Sequence, residues 1–220
     1  MKVGIVGYGW VAGAHIDALN SIEGVEVSAI YSSRSQDDDA LSKRHGSSIK
    51  SYQNLDSMID SENLDVISIC SYPAQHKDHV IACAKAGKHL IIEKPLALSI
   101  EDCAEIRSVV DQNKVKTCVC FECRYSSQFL ATKAAIDEGL IGSIHYGEVD
   151  YYHGIGPWYG QFRWNTSKEN GASSLLSAGC HALDALLLCM DGDVEEVEED
   201  EDVDEVKGIN DVMRGRRESR

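Results

Sequence analysis

The short apolar run Lys2–Val6 ends directly in Gly7-Tyr8-Gly9-Trp10-Val11-Ala12, and a helical pattern of apolar residues follows at once. This order of strand, G-x-G-x-x-A turn and helix restricts the fold more than any other feature of the chain. Gly7 permits a tight turn, Gly9 lets the backbone come close to a ligand, and Ala12 lets the helix pack near the strand. The unpaired N–H groups of the helix start, with its positive dipole end, suit phosphate. A lone glycine pattern would carry little weight. In this setting it points to dinucleotide binding, with Gly7, Tyr8, Gly9, Trp10, Val11 and Ala12 around the pyrophosphate.

The rest of the first half fits that reading. Strands are expected at residues 25–31, 64–70, 90–92 and 115–121, and helices at 10–22, 37–45, 54–59, 75–86 and 100–112. The first helix shows apolar spacing at Val11, Ala14, Ala18 and Leu19. Strands alternating with helices imply a parallel sheet, here a doubly wound Rossmann α/β domain. After Arg124 the pattern changes. Residues 128–138 read as a helix, 144–152 as a half-exposed strand, the stretch to about 171 as a loop rich in Gly, Tyr and Trp, and 174–190 as an apolar helix. The expected organisation is a dinucleotide-binding domain at 1–123, an incomplete α+β domain at 124–192, and a tail at 193–220.

Composition narrows the function. The 220 residues are 43% hydrophobic, enough for one sizeable core and part of a second. A net charge of −15 argues against a nucleic-acid partner, because a phosphate-binding face needs a basic excess. Between Asp191 and Glu205, 11 of 15 residues are acidic, and the run reads as a solvated, disordered tail. No apolar run is long enough to span a membrane, and the start enters a strand rather than a secretory leader. The expected setting is cytoplasmic, with the eight cysteines reduced. Cys120 and Cys123 have C-x-x-C spacing but no second pair at zinc-ribbon distance. Residues 115–121 read as a buried strand in which cysteine is a small hydrophobe, and this reading is favoured over a metal or redox site.

The second strand closes on Tyr31-Ser32-Ser33-Arg34. An acidic residue there would grip the ribose 2′-hydroxyl of NAD, whereas two hydroxyls and an arginine suit a 2′-phosphate. NADP is therefore favoured over NAD, with Ser32, Ser33 and Arg34 as its contacts. Asp37 to Asp39 read as the acidic first turn of the next helix.

Ile91-Ile92-Glu93-Lys94-Pro95-Leu96-Ala97 follows Ala86-Gly87-Lys88-His89. With the glycine turn, Arg124, Gly139-Leu140-Ile141-Gly142 and Ala178-Gly179-Cys180-His181-Ala182-Leu183-Asp184, these segments resemble the glucose–fructose oxidoreductase / inositol dehydrogenase (Gfo/Idh/MocA) family across residues 1 to about 190. The resemblance implies an NAD(P)-dependent oxidoreductase acting on an alcohol carbon of a sugar, polyol or similar small molecule. It places Ser71, His76, Glu93, Lys94 and Arg124 at the cofactor, with Lys94 polarising the substrate oxygen and His181 moving its proton. The residues agree for Lys94: a lysine at a strand's carboxyl end, near the glycine turn, faces the crevice of a doubly wound sheet.

Two departures stand out. The family carries an aspartate one helical turn before the histidine, and Ser177 stands there. Family members also run well beyond 300 residues, so this chain is expected to be a truncated copy, or one that completes its second-domain sheet by pairing with another chain. Asp184 is expected to anchor a neighbour rather than react, and His79 to sit on a helix surface. His153, Trp158, Tyr159 and Trp164 would lie at the substrate or pack their own loop. A catalytically degenerate NAD(P)-binding sensor is the alternative to an enzyme. An interaction module acting through the tail is a third reading.

Overall fold

The computed structural model describes residues 1–152, 168–171, 173 and 175–190. The sequence expectations for residues 193–220 and for His153, Trp158, Tyr159 and Trp164 lie outside them. Two compact units divide the chain. One holds Met1–Leu98 with Glu105–Cys120, the other Ser99–Ala104 with the described residues from Phe121 onward.

The first unit is built on six strands among the described residues: β1 Lys2–Val6, β2 Glu26–Tyr31, β3 Lys50–Tyr52, β4 Val66–Ile69, β5 His89–Ile92 and β6 Thr117–Val119. They pair in the order β3-β2-β1-β4-β5-β6, and every pairing is parallel. This is the strand order of dinucleotide-binding sheets. Its crossovers are α1 Ala12–Asn20, α2 Asp38–His45, α3 Leu55–Ser61, α4 His76–Lys85 and, from Glu105 onward, α5 Ile100–Asn113. Helices cover the central strands on both faces, so β4 is buried at all four positions and reads as a continuous Val-Ile-Ser-Ile run.

Local chemistry sets the ends of the elements. Asp37 caps α2 by accepting from the amides of Asp39 and Ala40, both at 3.0 Å. Those acids thus serve the helix start, as the sequence implies. Asn54 caps α3 in the same way, accepting from Ser57 N at 2.8 Å.

Several sequence readings are corrected. The inward face of α1 is Ala12 and Ile16, both fully buried, while Ala14 and Ala18 are exposed. β3 has no signal in sequence, because Lys-Ser-Tyr has no apolar signature; its register against β2 makes it a strand. β6 is shorter than residues 115–121 and lies at the sheet edge, with Thr117 and Cys118 exposed. An edge strand lacks a neighbour on one side, so Cys118 is no core residue.

The second unit contains α6 Ser127–Asp137, α7 Lys168–Gly171 and α8 Cys180–Cys189. The Ser126 hydroxyl caps α6, accepting from Phe129 N at 3.4 Å. The continuous helix expected at 174–190 is instead a π-helical turn, Leu175–Gly179, leading into α8. Residues 144–152 form no strand, although their alternation suggests one. Alternation specifies two faces, and a strand also requires a ladder partner, which the described residues do not supply.

Candidate functional site

The sheet reverses its winding between β1 and β4, and the carboxyl ends of those strands flank the crevice where such folds bind ligands. Gly7 leaves β1 there with φ +92°, and its amide donates to Tyr31 O at 2.9 Å. A Cβ on Gly7 would lie 2.7 Å from both N and Cα of Ser71, at the end of β4. A Cβ on Gly9 would meet nothing within 4 Å. One glycine therefore lets two strand ends close together, and the other leaves its side open to a ligand. Ala12 is fully buried and Trp10 is 88% exposed. The Tyr8 hydroxyl lies 2.9 Å from His45 Nε2, and His45 Nδ1 lies 3.0 Å from Asp17 Oδ1. With Asp17 accepting from Nδ1–H, Nε2 accepts from Tyr8, so this hydroxyl is engaged inside the protein.

At the end of β2, Ser32 is buried and its Oγ accepts from Arg34 N at 3.2 Å. Ser33 and Arg34 are exposed beyond it. Ser32 shapes the turn, and the other two present its polar surface.

At the end of β5, Glu93 is tied to α1. His15 Nε2 lies 2.8 Å from Glu93 Oε1, and His15 Nδ1 lies 2.9 Å from Ser68 Oγ. Ser68 Oγ in turn lies 3.6 Å from the sulfur of Cys70. Hydrogen bonding to the Cys70 sulfur and to the Glu93 carboxylate, working against burial, raises His15 to about 10. In its protonated form His15 donates from both nitrogens, to Ser68 Oγ and to Glu93 Oε1. The second Glu93 oxygen accepts from Lys94 N at 3.2 Å. This pair holds the turn that carries Lys94.

His76 supports the same turn from within. It is fully buried, with Nδ1 2.8 Å from Pro95 O and Nε2 3.0 Å from Ser71 O. Burial lowers its pKa. A neutral ring has a single N–H to share between the two carbonyls, and it presents no surface to a ligand. His79, expected on a helix surface, is half-buried, with Nδ1 2.9 Å from Ser71 Oγ and its ring edge-on to Tyr31.

The His15–Glu93 pair has a pH signature. The folded pKa of His15 is raised, so the stability it contributes is complete below about 6.5 and is lost as pH rises through about 10. Glu93→Gln is expected to cost about 2 kcal/mol near neutral pH, as for a hydrogen bond to a charged group. The gap from wild type should close above the folded pKa of His15. Urea unfolding of both proteins across that range measures it; a gap that does not change with pH would show that His15 is not the charged partner.

In the second unit, Arg124 clamps Asp184. Its Nε donates to Oδ2 at 2.7 Å and its second terminal nitrogen donates to Oδ1. Asp184 is 4% exposed and acts as the anchor that the sequence suggests. His181, 5% exposed, has Nε2 3.5 Å from Glu122 Oε1. Its ring lies edge-on to Phe121 and within 26° of parallel to Tyr151. The π-helical turn replaces the α-helical spacing that would stack Ser177 one turn below His181.

Residues 1–121 match the oxidoreductase family with an NAD-binding Rossmann fold, and residues 129–212 match the GFO/IDH/MocA C-terminal domain. The chain belongs to the Gfo/Idh/MocA oxidoreductase family. It is 30% identical over 199 residues to glucose-6-phosphate 3-dehydrogenase of Bacillus subtilis (strain 168), covering 87% of this chain and 54% of the relative. It is 27% identical over 188 residues to scyllo-inositol 2-dehydrogenase (NADP(+)) IolW of the same organism, covering 85% and 51%. An NAD-binding protein from Listeria innocua has the same fold, with a TM-score of 0.74 at 26% identity, covering 87% of this chain and 55% of that one. The chain spans about half the length of the curated relatives it matches.

Within this Gfo/Idh/MocA chain, sequence reasoning missed His15, Ser68, Cys70, Glu122 and Tyr151. A signal existed for His15. It stands one residue before Ile16 and one turn after Ala12, beside the inward face of an otherwise apolar helix. A half-buried imidazole there needs a partner. Glu122 gave none, because its neighbour His181 is distant in the chain.

Proposed function

We propose that this chain is an NAD(P)-dependent oxidoreductase that transfers a hydride between the nicotinamide and an alcohol carbon of a sugar, polyol or similar small hydroxy compound. The observation that carries this reading is the pairing, in one unit, of an open glycine cradle at β1 with the anchored Glu93–Lys94 turn at β5. The cradle fits a dinucleotide: Gly9 leaves the approach open, and Gly7 lets the Ser71 backbone close behind it. When bound, the nicotinamide supplies hydride acceptance and donation.

The chain's own residues do the rest. The Gly7–Ala12 backbone would hold the pyrophosphate. Lys94 would donate to the substrate oxygen and stabilise the negative charge that develops there as the carbinol ionises. His181 would take the carbinol proton in oxidation and return it in reduction. Residues 1–123 would act as the cofactor domain and the part from 124 to 192 as a substrate domain. Exposed Leu140, Ile141 and Tyr146 support self-association through that second part. A cytoplasmic setting goes with this reading; no described helix is long and apolar enough to cross a membrane.

Ser33 and Arg34, exposed at the end of β2 with no acidic residue beside them in sequence, support NADP as the preferred cofactor. NADP should bind about tenfold more tightly than NAD, and Arg34→Ala should erase most of that difference, the size expected for one exposed charge-assisted contact. Calorimetry decides; a tighter constant for NAD overturns the assignment.

The function itself is tested by dinucleotide titration followed by a screen of sugars, sugar phosphates and polyols for reduced cofactor. Turnover of any of them supports the reading. Tight dinucleotide binding with no turnover across the panel would replace it with a sensor or degenerate homologue.

A further inference from the structure

We propose that Glu122 is the carboxylate partner of His181, and that it holds this buried imidazole ready to carry a proton. The inference rests on the reading of His181 as the proton-moving group and adds a positioning residue to it. Glu122 opens the short helical turn Glu122–Tyr125, and α8 delivers His181 to it. The carboxylate oxygen and Nε2 lie 3.5 Å apart. The Glu122 side chain is 69% exposed and the His181 side chain 5% exposed. The acid thus faces water while the ring sits inside.

Burial alone would disfavour the imidazolium, and a carboxylate within about 4–6 Å favours it. Among the described residues, Cys123, Phe121 and Tyr151 also lie beside the ring. Asp184, on the same helix, is clamped by Arg124. Cys123 and Glu122 come from the adjoining turn, where their ligand atoms and that of His181 lie within 4.8 Å of one another. Tyr151 presents a ring face, and Phe121 presents its ring edge-on. Ser177, four residues before His181, carries no charge. The two aromatic rings fix the imidazole plane, and Glu122 supplies the opposing charge. When the ring accepts a proton it becomes an imidazolium facing the Glu122 side chain, 3.5 Å away.

The decisive measurement is a titration of His181 by NMR in the full, cofactor-free chain labelled at histidine, with the signal assigned by its absence in His181→Ala. In Glu122→Gln the midpoint should fall by about one pH unit, a tenfold change in protonated fraction at a given pH. Glu122→Asp should restore most of it. The same midpoint in wild type and Glu122→Gln overturns the proposal. So does loss of the His181 signal on adding micromolar zinc, if Cys123→Ala abolishes the effect, since the three side chains would then form a cation site.

In turnover, Glu122→Gln should shift the pH dependence of kcat in the same direction while KM for the dinucleotide stays unchanged; a profile that does not move overturns the proton-carrying role. If the midpoint shifts but the wild type turns over no alcohol, the pair stands and the oxidoreductase reading fails.

Discussion

Lys94→Ala is expected to lower turnover by about 10² to 10³, the cost of removing one donor aimed at a developing oxyanion. Dinucleotide affinity should stay within about threefold of wild type. The separation follows from the sheet order. β4 lies between β1 and β5, so the strand ends that carry the glycine cradle and Lys94 are about 10 Å apart at ordinary strand spacing. A side chain lost at β5 leaves the phosphate cradle intact. Lys94→Arg should not restore the rate, because the planar guanidinium fork places its donors differently from a compact ammonium. Steady-state kinetics with a dinucleotide titration in parallel measures both quantities. Equal losses of turnover and of dinucleotide affinity would mean that Lys94 serves the cofactor and not the substrate.

How much of this was legible in sequence depends on how far apart the interacting residues are. The parallel sheet was legible because its central strands are buried on both faces and are punctuated by glycine turns and capped helices. Asp37 and Gly7 announce their local roles within a few positions. β3 was not legible, since its three polar residues become a strand only against β2. Residues 144–152 show the reverse failure: their alternation is strand-like, but a ladder is a property of two segments.

The same distinction runs through the site. Lys94 and Glu93 could be named from a contiguous motif. The partner that anchors Glu93, His15, lies 78 residues away in the chain. Glu122 and His181 are likewise joined by folding. Cys118 looked like core because it sits in an apolar run, and its exposure follows from the edge position of β6, which sheet order alone decides.

One methyl group added to the glycine turn should give opposite results at two positions two residues apart. Gly7→Ala should destabilise the fold by about 4 kcal/mol. Alanine at φ +92° carries backbone strain of about 1–3 kcal/mol, and its Cβ would sit 2.7 Å from backbone atoms of Ser71, which cannot rotate away as a side chain would. That is a large share of the 5–15 kcal/mol that usually separates folded from unfolded states. Gly9→Ala should leave stability within about 0.5 kcal/mol, because its Cβ enters open space. That open space is where the backbone would approach the pyrophosphate, so an added methyl should push the dinucleotide away at a cost of about 1–3 kcal/mol. The affinity loss would be roughly tenfold to a hundredfold. Urea unfolding and dinucleotide calorimetry on both variants separate the two effects. If Gly9→Ala binds dinucleotide as tightly as wild type, the phosphates do not lie over this turn. If Gly7→Ala is as stable as wild type, the close approach of β1 to β4 is not what the glycine is there to allow.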